Sequence, residues 1–363
     1  MALRVMWAPA FSVRPLTRQR SVELLMTLDE AVALSLVDNL PRPGLTARLQ
    51  ADDPELLEIA GGFSAAAHAT RQQAAAAGIG VVAWHQPAFP ASLLALPDCP
   101  PALWFRGGLA VLDAPCIAIV GSRAASAAGL DVAARLGRDL AARGVTIVSG
   151  LARGVDSAAH RGALQAGRTV AVLGSGVDRV YPAEHRELAR AVSVDGLVAS
   201  EYPPGTPPMP FRFPMRNRII SGLSRAVIVI EASEQSGSLI TAACALEQGR
   251  EVMAVPGSVA GGRNRGGHAL IRDGATIVET ADDVLGELGL GGGRYPATPA
   301  GTCGLSGTCV DPVLRHMRDG EAYDLDALAA ASGLGSARLL PHLLELELAG
   351  KVRRAGAGRF LRQ

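Results

Sequence analysis

At 363 residues, 48% of them hydrophobic, the chain has room for about two or three domains around a sizeable core, and no apolar run reaches membrane-spanning length. Its 35 basic and 34 acidic residues leave a net charge of +1, so a polyanion must bind a local patch and not the field of the whole molecule. Five scattered cysteines with no C-x-x-C pair argue against zinc and against a disulfide framework, and the N-terminus lacks a clean signal-peptide core, which together predict a reducing cytoplasm. Lys351 is the only lysine; the other basic residues are arginines, which fork onto phosphate and stack on bases.

Residues 17–77 read as helices. Leu24, Leu25, Leu28, Val32, Leu34 and Leu36 recur near helical spacing, and the Ala-rich Ser64–Ala77 segment favours helix. Pro43-Gly44-Leu45 makes a turn and a helix start, with a faint likeness to helix-hairpin-helix modules; a plain helix–helix turn is the simpler reading. Ile79–Trp84 reads as a strand, and proline-rich chain follows to Leu103–Arg106. Strands then start near 116, 145, 169, 197, 226, 252 and 275. Intervals of roughly 25–30 residues match repeated βα units, hence an α/β fold with a mostly parallel sheet covered on both faces. Glycines from Gly286 to Gly307 read as a linker. Beyond it come helices over Val310–Met317, Asp324–Ala331 (Asp324 as N-cap) and Ser336–Leu348. A hairpin of Val352–Arg354 with Arg359–Leu361 completes a winged-helix pattern.

Five strand ends run into Gly/Ser-rich turns: Gly121-Ser122-Arg123, Ser149-Gly150 through Gly154, Gly174-Ser175-Gly176, Ser236-Gly237-Ser238 and Pro256-Gly257-Ser258. Glycine lets backbone N–H groups crowd together, and a following helix aims its positive end at the turn. Five such turns describe a surface for several phosphates. A nicotinamide site needs G-x-G-x-x-G and a carboxylate after the second strand. The first turn keeps one of the three glycines and the second strand ends in Ser149-Gly150, so that reading is disfavoured, and no P-loop is present.

Arg123 follows a strand-end glycine and is expected to project over the crest toward phosphate, where a salt bridge is the bland alternative. Arg153 in the next turn is as compatible with a plain surface charge. Asp156 and His160 lie one helical turn apart; a catalytic pair is conceivable, but an acidic residue at a helix start more often caps it. Phe211 through Arg218 interleaves aromatics with Arg212, Arg216 and Arg218, a pattern for stacking bases and tracking a backbone. The alternative is core phenylalanines beside solvated arginines.

These segments resemble the DNA-processing protein A family, also called DprA or Smf. The resemblance is carried by Gly121-Ser122-Arg123; Ser149 through Asp156 with Ala159-His160; Leu173 through Gly176 with Tyr181-Pro182; Ser200-Glu201-Tyr202; Phe211 through Ser221; Ser236 through Thr241; and Pro256-Gly257 with Asn264, Leu270 and Ile271. It implies an extended Rossmann-like domain over 79–287 between a helical N-terminal domain, 1–78, similar to SAM or helix-hairpin-helix modules, and a winged helix, 305–363, after a linker, 288–304. It also implies a cytoplasmic homodimer, without cofactor or metal, that binds incoming single-stranded DNA in natural transformation and loads the recombinase RecA onto it. The implied DNA contacts are Gly121, Ser122, Arg123, Gly150, Arg153, Gly174, Ser175, Gly176, His185, Phe211, Arg212, Arg216, Asn217, Arg218, Ser236, Gly237, Ser238 and Asn264. His268 and Ile277 fall at the implied dimer surface. Many relatives carry a lysine-like residue after Tyr-Pro and an asparagine two further on; here these are Ala183 and His185, so His185, Arg186 or Arg179 would substitute.

An alternative is a nucleotide-binding or phosphoribohydrolase-like enzyme on the same fold. The family's fold resembles such hydrolases, whose loop reads G-G-x-G-T-x-x-E; here Thr241 stands at the glutamate position, which removes the general acid–base. A third reading is a regulator that grips duplex DNA through the winged helix. Its recognition helix is leucine-heavy with Arg338 and His342, and its wing offers Arg353, Arg354 and Arg359, so duplex DNA and protein are equally good partners for it.

Overall fold

The computed structural model describes residues 26–38 and 40–290, and within the C-terminal region 313, 317, 322–332, 339, 342–343, 346–347, 352–354 and 360–362. In chain order the first elements are α1 (Leu28–Ser35), α2 (Leu45–Gln50), α3 (Pro54–Ala76), β1 (Gly80–Ala83), α4 (Ala91–Leu94) and β2 (Ala102–Gly107). The alternating stretch follows: β3 (Cys116–Gly121), α5 (Ala127–Ala141), β4 (Thr146–Ser149), α6 (Val155–Ala163), β5 (Thr169–Val172), α7 (Arg186–Asp195) and β6 (Leu197–Ser200). Then come α8 (Arg212–Leu223), β7 (Ala226–Ile230), α9 (Gly237–Glu247), β8 (Glu251–Ala254), α10 (Arg265–Arg272), β9 (Thr276–Ile277) and α11 (Ala281–Glu287). The C-terminal elements are β10 (Ala322–Tyr323), α12 (Leu325–Ser332), β11 (Val352–Arg354) and β12 (Phe360–Arg362).

One nine-stranded sheet runs in the order β1-β2-β6-β5-β4-β3-β7-β8-β9. The pairs from β6 to β9 are parallel, and β2 joins β6 and β1 antiparallel. The strands read as unbroken apolar runs because both faces are covered. Successive residues of one strand go to opposite cores: Ala118 and Val120 belong to the core on the side of α8 and α9, while Ile117 and Ile119 belong to the core that holds α5 and α6. Helices α5 and α6 approach closely through small residues; a Cβ on Gly162 would overlap the carbonyl of Ala134.

The helical region is tied to the sheet by a shared core and by charge. Leu34, Leu45, Leu49 and Leu56 share a core with Trp104 of β2, whose Nε1 donates to Ser35 Oγ at 3.3 Å. Helix α3 starts ten residues before the Ala-rich stretch that predicts it, because Asp53 caps it and Pro54 fills its first position. By packing, residues up to Ala297 form one compact unit and those from Thr298 a second.

In the second unit β11 and β12 form the expected hairpin, and Asp324 Oδ1 accepts from Ala327 N at 2.7 Å as the expected cap. Strand β10, which the sequence pattern does not signal, pairs with β12. Val313, Met317, Leu339, Leu343 and Leu346 are buried together with Leu328, Val352 and Phe360. Most of the first and third expected helices, with Arg338 and Arg359, lies outside the described residues.

Candidate functional site

The turns after the parallel strands line up along the carboxyl-end crest of the sheet. Between those after β3, β4 and β7 and the side of α8 lies an open groove of about 420 Å³. Its base is set by backbone contact. A Cβ on Gly121 would overlap the Ile230 carbonyl, so only glycine lets the ends of β3 and β7 meet. Ser122 then donates its N–H to Glu231 O at 3.1 Å and accepts from Val155 N at 3.2 Å.

One wall is aromatic and cationic. Arg123 is exposed, and its guanidinium lies 5.6 Å from the centre of the Phe213 ring. Phe213 in turn stacks on Tyr181 at 5.4 Å, and Tyr181 is 45% exposed. Arg123 makes no salt bridge among the described residues, so the bland reading of this arginine fails. The facing wall is the N-terminus of α9. Ser236 caps it, accepting from Ser238 N at 3.4 Å, and its hydroxyl bonds that of Ser238 at 2.7 Å. An eleven-residue helix thus points its positive end into the groove.

The N-terminus of α5, where a doubly wound fold holds pyrophosphate, is already filled. Glu231, with φ 49, accepts from Ser126 N at 2.9 Å and from Ser126 Oγ at 2.5 Å. Arg263 stands 3.8 Å from this carboxylate and donates to Ala124 O at 3.0 Å.

The arginines of α8 depart from the expectation that they track a nucleic-acid backbone. Arg212, Arg216 and Arg218 are all buried. Arg216 crosses over Gly150 and donates to its carbonyl at 2.8 Å and to that of Val172. Burial pushes its guanidinium down to about 10. Arg212 donates to Asp38 at 3.0 Å and lies between the rings of Tyr202 and Phe211. Arg218 binds Asp98 at 2.8 Å and Glu201 at 2.6 Å, and Arg42 reaches the same glutamate at 2.8 Å. These side chains hold the helical region and the turn after β4 in place. Asn217 lines the groove, accepts from Arg216 Nε at 3.2 Å and donates to Gly237 O at 3.4 Å.

Other expected contacts also turn inward. His185 is 5% exposed and its Nδ1 meets Leu151 O at 2.8 Å, so it supports the turn after β4; of the three proposed substitutes Arg186 is exposed and Arg179 lies 3.6 Å from Asp178. Asn264 is 2% exposed and accepts from Ala232 N at 3.2 Å, locking the ends of β7 and β8 together. Arg153 pairs with Glu184 at 2.5 Å on the surface, as its alternative reading holds. In the turn after β5, Ser175 donates to Arg179 O at 2.7 Å, and Gly176 N to Thr206 O at 3.0 Å. Gly174 packs beneath the ring of Phe213 and keeps the aromatic wall in place. Phe211, 55% exposed, lies outside the groove.

Asp156 and His160 do not form a catalytic pair. Asp156 accepts from Gly150 N at 3.1 Å and Ala152 N at 3.3 Å, so it clamps the turn, and burial pushes its carboxyl up. Thr169 spends its hydroxyl proton on Ile147 O at 2.7 Å. His160 Nδ1 must therefore donate to Thr169 Oγ1, at 2.7 Å. Burial pushes His160 down to about 3, which keeps it neutral at pH 7. No cluster of metal-ligating side chains occurs among the described residues. Sequence reasoning does not pick out Tyr181 or Glu231 as site residues; the Tyr181-Pro182 pair is the one signal for the first, and nothing local marks the second.

Residues 80–289 match the family model for DNA recombination-mediator protein A, and residues 308–358 that for the DprA winged helix domain. Protein Smf of Escherichia coli is 42% identical over 271 residues, covering 73% of this chain and 72% of that one. DNA processing protein DprA of Streptococcus pneumoniae is 47% identical over 201 residues, 55% of this chain and 71% of that one. The X-ray structure of DNA processing protein A from Streptococcus pneumoniae superposes with a TM-score of 0.60 at 39% identity, covering 69% of this chain and 87% of that one. DNA processing protein A of Helicobacter pylori, described by its single-stranded DNA binding mode, gives 0.53 at 27% identity, covering 58% and 95%.

Proposed function

The chain belongs to the DNA recombination-mediator protein A family, and we propose that it binds single-stranded DNA along the crest, shields an incoming strand in natural transformation and passes it to the recombinase RecA. It acts in this reading as a cytoplasmic homodimer; no helix among the described residues is long and apolar enough to cross a membrane. The division into domains 1–78, 79–287 and 305–363 with a linker at 288–304 belongs to the same proposal, as does a duplex-DNA or protein partner for the winged helix. The observation that carries the reading is the wall of Arg123 and Phe213, with the exposed Tyr181 packed on Phe213, facing the N-terminus of α9. An unpaired guanidinium and a helix N-terminus serve phosphates, while exposed ring faces serve unpaired bases of any sequence.

The test compares oligothymidine, its matched duplex and thymidine monophosphate in gel shift, with wild type and Arg123→Ala. Single strand should bind best, since duplex hides its base faces. Arg123→Ala should weaken it similarly for different sequences, because phosphate contacts carry no base identity. Its salt slope should fall by about 0.7, and its melting curve should match wild type. Unchanged binding by a folded Arg123→Ala, or a preference for duplex that survives deletion of residues 305–363, would overturn the reading.

One observation favours the enzyme alternative: the groove is the size of a nucleotide and contains a carboxylate, Asp156. That carboxylate is committed to two backbone N–H groups, and Thr241 occupies the would-be catalytic position. Incubation with nucleoside monophosphates should release no free base above a buffer control. Release that is lost in Arg123→Ala would establish the enzyme instead.

A further inference from the structure

The groove does not stop at the turn after β7. Ser233 and Gln235, which line it, are also the near wall of a second, more open hollow of about 470 Å³. The far wall is the segment after β8, where Val259, Gly261, Gly262 and Arg265 gather. Gly261 and Gly262 have φ of 71° and 69°, a left-handed pair that bends the segment back over the crest. Arg265 folds across Gly262, its Nε 3.5 Å from where a Cβ would stand, an ordinary van der Waals approach.

The charge of Arg265 is uncommitted. It is exposed, and it makes no salt bridge or side-chain hydrogen bond among the described residues. Its neighbour Arg263 is spent on Ala124 O and Glu231. Two free guanidiniums, Arg123 and Arg265, therefore flank the turn after β7 on one connected surface. Glu234 also lines the hollow, which confines an anion to the Arg265 side. Val259, 87% exposed, offers an apolar face beside it.

We propose that this hollow is a second phosphate subsite, with Arg265 as its cation, and that a single strand leaving the first groove crosses the turn after β7 to reach it. The proposal rests on the single-strand reading above and gives the strand a path. From the turn after β5, beside Tyr181, to the segment after β8 the crest spans four strand spacings, about 19 Å. That length suits about four nucleotides, the lower end of site sizes for single-strand grooves.

Fluorescence anisotropy with a labelled thymidine trinucleotide and octanucleotide separates the subsites, using the full chain. Arg265→Ala should bind the trinucleotide as wild type does, and lose roughly tenfold for the octanucleotide. Its salt slope for the longer probe should fall by about 0.7. Arg265→Lys should recover part of that loss. Wild-type octanucleotide binding and slope in Arg265→Ala would overturn the subsite; if Arg123→Ala still loses both probes, the first reading stands. An equal loss on both probes would also overturn it, by placing Arg265 in the first groove. Failure of the wild type to bind either probe would remove the single-strand reading itself.

Discussion

Arg218→Leu is expected to destabilise the protein by about 3–5 kcal/mol, because it removes a buried guanidinium shared by the buried Glu201 and the half-buried Asp98. Glu201 and Asp98 both point at this guanidinium, the first from just past the end of β6 and the second from the stretch before β2. Arg42 would remain on Glu201, but from a position 26% exposed, and Asp98 would lose its 2.8 Å salt bridge. Burial already pushes the Asp98 carboxyl up despite two nearby arginines, so losing the nearer one should favour its protonation. For a unit of this size the melting temperature should drop by roughly 6–20 °C. Arg123→Ala, on an exposed side chain, should leave it unchanged. Thermal melts of the two variants decide the matter. If Arg218→Leu melts as wild type yet loses single-strand binding, Arg218 belongs on the nucleic acid, as its place in an arginine and phenylalanine cluster suggests.

That contrast marks what sequence carries and what it does not. The strand–turn–helix alternation is legible because strands buried on both faces must be apolar throughout, and their ends need glycine where backbones touch, as at Gly121. Arg123 is legible because a residue after such a glycine sits on the crest. The burial of Arg212 and Arg218 is not legible, since it depends on partners remote in the chain. Asp38 lies 174 residues from Arg212, and no local pattern reports the pairing. Glu231 is similar: it fills the N-terminus of α5 by reaching Ser126, 105 residues away. His185 keeps a polar identity in the sequence but spends it on a backbone carbonyl. Composition marks the stretch of α8 as rich in arginine, but composition does not say which way a helix faces.

The second large effect concerns assembly. We expect Ile277→Arg to turn a homodimer into a folded monomer and to cut affinity for long single strands by about 10²–10⁴. Ile277 is 51% exposed, so a substitution there need not disturb the core. It lies on β9, which among the described residues pairs with β8 alone, at one edge of the nine-stranded sheet. An apolar side chain on an open edge invites pairing unless something covers it, and a second copy of the chain covers it, together with His268, in this proposal. In an isologous contact each new arginine meets or nears its twin, so the charge repels across the interface. Each subunit has its own crest groove, and joining two raises the effective concentration of the second for a strand already held by the first. Affinity should therefore climb steeply once an oligothymidine reaches both subunits, and Ile277→Arg should abolish the climb while leaving short oligonucleotides bound as in wild type. Light scattering reads the assembly, and the oligonucleotide length series reads its consequence. A wild type that is monomeric at micromolar concentration, or a monomeric variant whose length dependence is unchanged, would show that the grooves act singly.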